Sequence, residues 1–204
     1  EALSNADSGD SIKVAHGVYN ENITLVQGVV VKGANPINTI IDGGRRGAVV
    51  NGVADGTITG FTIRNGIEGF LCENAPASIS NSYIIDNHAT GIAAFISLPV
   101  IANNVIYGNR WSGVLAWGTK SFAARIEQNV IMRNGYSGLS LMGPTYIVVR
   151  NNIIMENHRY GIFAEDAAGQ TKIEYNDIYK NYYQFSSGVK VPRSNINTEP
   201  MFRN

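Results

Sequence analysis

The sequence predicts an all-β solenoid, a parallel coil with three strands per coil and roughly 22–25 residues in each. Three observations predict it. An asparagine recurs as Asn65, Asn87, Asn109, Asn134, Asn157 and Asn181, at steps of 22, 22, 25, 23 and 24 residues. Four residues later a glycine recurs as Gly69, Gly91, Gly113, Gly138 and Gly161, until Phe185 breaks the series. Between these markers, three short apolar runs per repeat keep phase along the chain. A period in the low twenties marks stacked units that each contact only their neighbours.

The first run follows the glycine: FLCE from Phe70, IAAF from Ile92, VLAW from Val114, LSLM from Leu139 and IFAE from Ile162. The second carries Ile58, Ile79, Ile101, Ile126, Val149 and Ile173 in phase. The third carries Ile84, Ile106, Ile131, Ile154 and Ile178, with Thr62 expected in that slot of the preceding repeat. Alternation with β-branched residues reads as strand, and in-phase repetition stacks each residue on its copy about 4.8 Å away. The row Asn104, Asn129, Asn152 and Asn176 falls between the second and third runs. Asparagine tolerates left-handed backbone, and stacked amides can bond along the axis, so these four are expected to form a structural ladder. A leucine-rich repeat has a similar period but needs Leu-x-x-Leu-x-Leu and one strand per repeat. Left-handed hexapeptide coils fit the spacing less well.

This frame, N-x-I-x-x-N followed by N-x-x-x-G-[IVLF], resembles the right-handed parallel β-helix repeat family of the pectin-lyase-like superfold. Residues 9–44, GDSIKVAHGVYNENITLVQGVVVKGANPINTIIDGG, are similar to the first coils of such proteins. NINTEPMFRN at 195–204 resembles their closing segment, with Glu199-Pro200 where Asp-Pro is usual. The resemblance implies a right-handed β-helix and a short N-terminal capping helix, here Glu1 to about Ala6, because solenoid ends leave strand edges unpaired. It also implies an exported protein (extracellular, cell-surface or periplasmic), often one that acts on or binds polysaccharide. Function on this fold varies widely, so the outer faces decide it.

Unbroken periodicity argues for one domain over 1–204: a cap and first coils at 1–46, regular repeats at 47–185, and a closing segment at 186–204. The opening EALSNA reads as the middle of a helix, which implies chain upstream. Formal charge is zero and 16% of residues are charged, so nothing steers the chain toward nucleic acid. No apolar run reaches the roughly 18 residues of a membrane span. The single cysteine, Cys72, cannot form an internal disulfide and falls in an inward row. Neither a metal nor a cofactor is expected, since His88 and His158 share a turn position three coils apart and His16 sits in the first coil. Asn22-Ile23-Thr24 matches a glycosylation sequon, which matters only in a eukaryotic secretory setting.

Most charges read as ion-pair ladders: Arg64 with Asp86, then Arg133, Glu156 and Lys180, and separately Glu127, Arg150 and Glu174. The remaining coil acids are Asp55, Glu68, Glu73, Glu165, Asp166 and Asp177. Glycoside hydrolysis needs two carboxyls about 5–9.5 Å apart. Glu73 and Glu165 lie four coils apart, on the order of 19 Å, and Glu165 and Asp166 are neighbours on one strand end. No catalytic residue is assigned.

The unusual surface is apolar. Along the first run the outward residues are Leu71, Ala93, Leu115, Ser140 and Phe163, and two further along Glu73, Phe95, Trp117, Met142 and Glu165. Trp111, Tyr136, Tyr160 and Tyr183 flank its start. Contiguous exposed apolar surface marks a binding surface. The candidate binding residues are therefore Leu71, Phe95, Trp111, Leu115, Trp117, Tyr136, Met142, Tyr160 and Phe163. A second outward strip, on the third run, holds Tyr83, Ile85, Tyr107, Met132, Met155 and Tyr179. Flat aliphatic surface favours a protein partner or self-association. The alternative is a polysaccharide, bound or degraded, with Trp111, Trp117, Tyr136 and Phe163 as stacking platforms.

Overall fold

A computed structural model describes residues 2–97, 100–118, 124–144, 146–165, 171–187, 189 and 192–202. The chain winds into a right-handed parallel β-helix with three eight-stranded sheets. The first sheet runs from Ile23–Thr24 to Tyr183–Phe185 and contains the five glycine-led strands. The second runs from Ser11–Val14 to Lys172–Glu174, and the third from Gly17–Tyr19 to Asp177–Tyr179. Every described pairing is parallel and in register, so Ile79 lies on Ile101 and Ile84 on Ile106. The inward rows are fully buried: Ile58, Ile79, Ile101 and Ile126 from the second sheet meet Ile63, Ile84, Ile106 and Ile131 from the third and Ile92, Val114 and Leu139 from the first. Strands of two to six residues suffice because each residue packs on its copy above and below.

Two asparagine ladders run through the later coils. At the bend from second to third sheet, Asn104 Nδ2 donates to Asn129 Oδ1 at 3.1 Å, Asn129 to Asn152 at 3.0 Å and Asn152 to Asn176 at 2.9 Å. The closing segment adds a rung, since Asn176 Nδ2 donates to Asn195 Oδ1 at 2.9 Å. At the bend from third to first sheet, Asn87, Asn109, Asn134, Asn157 and Asn181 form a second ladder at 2.9–3.0 Å. The recurring glycine is explained by this second ladder. A Cβ on Gly91 would stand 2.7 Å from both Asn109 Nδ2 and the Gly113 carbonyl oxygen, closer than atoms can approach.

Several expectations are corrected. The left-handed residue at each bend is the one before the ladder asparagine: Asn103, Gln128, Asn151 and Tyr175 at the first bend, with φ of 57°, 58°, 55° and 57°. That residue turns outward, which leaves the following asparagine free to lie along the axis. Asn65 occupies the outward place, with φ of 58°, and Gly66 N–H donates to Asn87 at the foot of the second ladder. The same one-residue shift puts Ile63, not Thr62, beneath Ile84. It also sends Arg64 to Asp42 at 2.9 Å instead of Asp86. The N-terminal cap is a single 3-10 turn, Leu3–Asn5, with no buried residue, too short for the expected helix.

The other ladders are ion pairs. Glu156 receives Arg133 at 2.7 Å and Lys180 at 3.2 Å, and their hydrogen bonds hold its carboxyl below the usual range. Arg150 pairs with Glu127 at 2.9 Å, while no ion pair joins it to Glu174 among the described residues. Burial raises the Asp42 carboxyl, but hydrogen bonds from Asn65, the Gly44 N–H and Arg64 outweigh it and leave it lowered. Asn22 Nδ2 donates to the Arg46 and Ala48 carbonyls at 2.6 and 2.8 Å, so the sequon amide is committed to the turn.

Candidate binding groove on the first sheet

The outer face of the first sheet carries an open groove of about 600 Å³. Its floor is Leu115, Ser140, Met142 and Phe163, projected outward by alternate positions of adjacent strands. Its wall is the turn before those strands, where Trp111, Tyr136 and Arg159 stack through successive backbone bonds of 2.8 and 2.7 Å. Thr90, Arg110, Ser112 and Gly135 complete the lining. Gly135 is required there, because a Cβ would strike the Arg110 carbonyl of the coil below.

The strip divides into three parts. Trp111, Leu115, Tyr136, Met142 and Phe163 meet in the groove. Phe95 and Trp117 form a ridge at its far edge, ring centroids 6.2 Å apart and tilted, with Met142 next in register. Tyr160 joins Phe163 at 5.3 Å and Tyr183 at 5.3 Å in an aromatic cluster at the other end. Leu71 lies in the same row as Leu115, two strands away and outside the groove. Ala93 and Ser140, expected to face solvent, are buried at 2% and 4% exposure. They are short and stand between taller register neighbours, Leu71 and Leu115 for one, Leu115 and Phe163 for the other.

Trp111 is 61% exposed and Trp117 53%, so this strip is open. The third-sheet strip is less so, with Met155 only 8% exposed and Tyr83, Ile85, Tyr107, Met132 and Tyr179 half-buried. Sequence reasoning missed Thr90, Ser112 and Gly135. Thr90 and Ser112 both stand three residues after the ladder asparagine, a signal open to inspection. Ser112 is already matched, its hydroxyl 2.8 Å from that of Ser140.

The electrostatics differ between the two edges. Arg159 lies 5.1 and 5.3 Å from the Tyr136 and Tyr160 ring centroids and donates to Tyr136 Oη at 3.0 Å. The Tyr183 hydroxyl is held above its ordinary value, chiefly by Tyr182. No carboxylate stands among the described lining residues. Glu73 and Glu165 are exposed at the far edge, and Asp166 lies outside the described residues.

Residues 3–199 match the family described as "Periplasmic copper-binding protein (NosD)". The chain belongs to the NosD family. Among solved structures it is similar to the A-module of mannuronan C-5 epimerase AlgE4 from Azotobacter vinelandii, with a TM-score of 0.60 and 19% identity over 90% of this chain and 66% of that one. It is also similar to the alginate lyase of Paenibacillus sp. str. FPU-7, with a TM-score of 0.56 and 15% identity over 97% and 94% of the two chains. A GH87 α-1,3-glucanase catalytic domain matches at a TM-score of 0.55 and 16% identity, over 86% of this chain and 34% of that domain. At these identities the likeness is one of fold. The chain thus spans just under two thirds of the AlgE4 module and a third of the glucanase domain. No curated protein matches the sequence. No described helix is long and apolar enough to cross a membrane.

Copper sites are built from cysteine, histidine and methionine donors. The described residues of this NosD-family chain do not bring them together. Cys72 is fully buried in the core, and burial pushes its thiol up to about 11. His16 lies beside Asn35 at 3.2 Å and His88 beside Asn65 at 3.4 Å, while His158 is exposed several coils away. Met132 and Met155 are register neighbours, but Tyr107 and Tyr179 continue their row on either side. Among the described residues no three His, Cys, Asp or Glu side chains gather. The donors among the described residues do not fit a copper centre.

Proposed function

We propose that this protein is a non-catalytic exported β-helix module that binds a protein, either a different partner or a second copy, through the apolar strip of the first sheet. The observation that carries this reading is the open groove of Trp111, Leu115, Tyr136, Met142 and Phe163 beside the half-exposed Trp117. A β-helix core does not require outward tryptophans, since Val114 and Ala116 fill the inward places of the same strand at 0% exposure. On the groove floor the Ser112 and Ser140 hydroxyls are matched to one another beside Leu115, Met142 and Phe163, which suits apolar side chains better than sugar hydroxyls. Export is supported by the periplasmic description of the family.

The test is a photo-crosslinking amino acid placed at Trp117 and, as control, at the exposed Arg125 of the second sheet, in cells that make the protein. Defined protein adducts from position 117 and none from 125 are expected. Equal yields, or none from 117, would remove the interface reading. In the same protein, Trp117→Ala is expected to leave the melting temperature nearly unchanged.

A second reading is favoured by Trp111 and Tyr136 standing beside Arg110, a combination that also suits a sugar ring. Among proteins of similar fold are a mannuronan C-5 epimerase, an alginate lyase and an α-1,3-glucanase. Retention on an alginate column that is lost in Trp111→Ala, with no protein adducts, would favour it. Loss of a measurable lyase or hydrolase activity on Glu165→Gln with Asp166→Asn would favour an enzyme.

A further inference from the structure

We propose that the strip pairs with a second copy of this chain, about a two-fold axis that lies in the contact plane and runs parallel to the solenoid axis. The inference rests on the interface reading above and adds the identity and orientation of the partner.

Arg64, Arg133 and Arg150 each have a carboxylate within 2.9 Å. Arg110 and Arg159, both exposed on the turn edge of the strip, have no ion-pair partner among the described residues. Exposed His158 stands on the same edge, in the backbone row of Gly135 and Arg110. On the opposite edge Glu73 and Glu165 are exposed and likewise unpaired among the described residues. The turn edge therefore carries Arg110, His158 and Arg159, with half-buried Glu68 at one end in the row of Thr90, while the opposite edge carries Glu73 and Glu165 at its two ends, and an apolar floor lies between.

A half-turn about an axis parallel to the solenoid keeps each coil at its own height and exchanges the two edges. Arg159 and Glu165 flank the same strand, so Arg159 comes to face the partner's Glu165, and the contact occurs twice, while at the end of the strip Glu73 comes to face the partner's Glu68. Arg110 and Trp117 likewise lie at the two edges of one coil. The same rotation sets each Trp117 before the partner's Arg110 and the groove beside it, where cation–π contact and apolar burial are both available. A two-fold along the strands, through the strand of Trp117, would instead set Arg110 on Arg110 and Glu73 on Glu165, repulsive contacts that outweigh the one it makes between Arg159 and Glu68.

Size sets the strength. From Leu71 to Phe163 is four strand steps, about 19 Å, and from Trp111 to Trp117 is six residues, about 20 Å. The footprint is about 400 Å² per copy, or about 800 Å² in all, below the roughly 1,200 Å² of a stable complex. The pair should be weak and exchange with monomer in the micromolar range.

Sedimentation velocity across about 5 to 500 μM protein tests this at low and high salt. Wild type should shift from monomer toward dimer mass, and salt should weaken the pair. Glu165→Arg and Arg159→Glu should each weaken it about 10-fold, and the double variant should restore it to within about 3-fold of wild type. Trp117→Ala should weaken it about 10-fold or more. Arg159→Glu loses its tyrosine packing, so circular dichroism melts check folding, and Glu165→Arg, on an exposed side chain, gives an independent reading. A protein that stays monomeric throughout, or a dimer that the double swap does not restore, overturns the pairing. If the chain stays monomeric while position 117 crosslinks to a different protein, this inference fails and the interface reading stands. If neither occurs, both fall.

Discussion

Replacing Asn129 by leucine tests the ladder at its centre. The side chain is 1% exposed and makes five hydrogen bonds. Its Nδ2 donates to the Ile101, Glu127 and Asn152 oxygens at 2.9, 3.0 and 3.0 Å. Its Oδ1 accepts from Asn104 N and Nδ2 at 3.0 and 3.1 Å. Leucine has nearly the same shape but none of these groups. Asn152 Oδ1 keeps the backbone N–H of residue 129, so that acceptor is still served. The Asn104 backbone N–H and one Nδ2 hydrogen lose their acceptor inside the coil. Each buried unmatched donor costs about 1–3 kcal/mol, partly offset by apolar burial, giving about 2–4 kcal/mol overall. For a chain of this length that lowers the melting temperature by about 5–15 °C, measurable by calorimetry. Asn103→Leu, at the exposed left-handed position one residue earlier, is the control. It disturbs backbone preference by only about 1–2 kcal/mol. A variant Asn129→Leu that melts within about 2 °C of wild type, or no lower than the control, would refute the reasoning that the amides hold the bend.

Glu156 is lowered by its bonds to Arg133 and Lys180, so its contribution is present above its ordinary value of 4.5 and lost as pH falls through the folded-state value. Denaturant melts against pH should show wild type ahead of Glu156→Gln at neutral pH, with the gap closing below 4.5; a gap that widens in acid would contradict the ion-pair ladder. With its thiol at about 11, Cys72 should react with a disulfide reagent at pH near 8 at least about 100-fold more slowly in the native than in the unfolded protein, followed by absorbance, and equal rates would contradict its burial. Copper should not raise the melting temperature of this chain in a thermal-shift titration, because a ligand that binds only the folded state must raise it. A saturable rise would reveal donors that the described residues do not bring together.

The errors of register have one cause. Asn65 and Asn87 look equivalent at a step of 22, but the coil between them is 21 residues in the third sheet, as the pairing of Ile63 with Ile84 requires. Both asparagines are chemically at home at a bend, one in the left-handed outward place and one in the buried ladder, so identity alone could not separate them. Asn195 was unreadable for a similar reason. It closes the first ladder from the terminal segment, 19 residues after Asn176, off the period of the repeats.

The repeat period, the inward isoleucine rows and the recurring amides at two bends of the later coils were determined by the sequence itself. Stacking makes them local: each residue meets its own copy one coil away, so periodicity is already contact information. The outward places of Phe95, Trp117 and Met142 were legible on the same ground, because period-two alternation fixes the face. What alternation could not decide was depth. Whether an outward side chain stands proud or sinks between taller neighbours, as Ala93 and Ser140 do, depends on heights across three coils at once. The groove needed the tertiary structure for a further reason. Its wall comes from turn residues, whose direction is set by the left-handed bend and by the room that Gly135 leaves above Arg110. The separation of Arg110 and Arg159 from every described carboxylate is likewise a property of the closed coil, since acids near in sequence end up on its other edge.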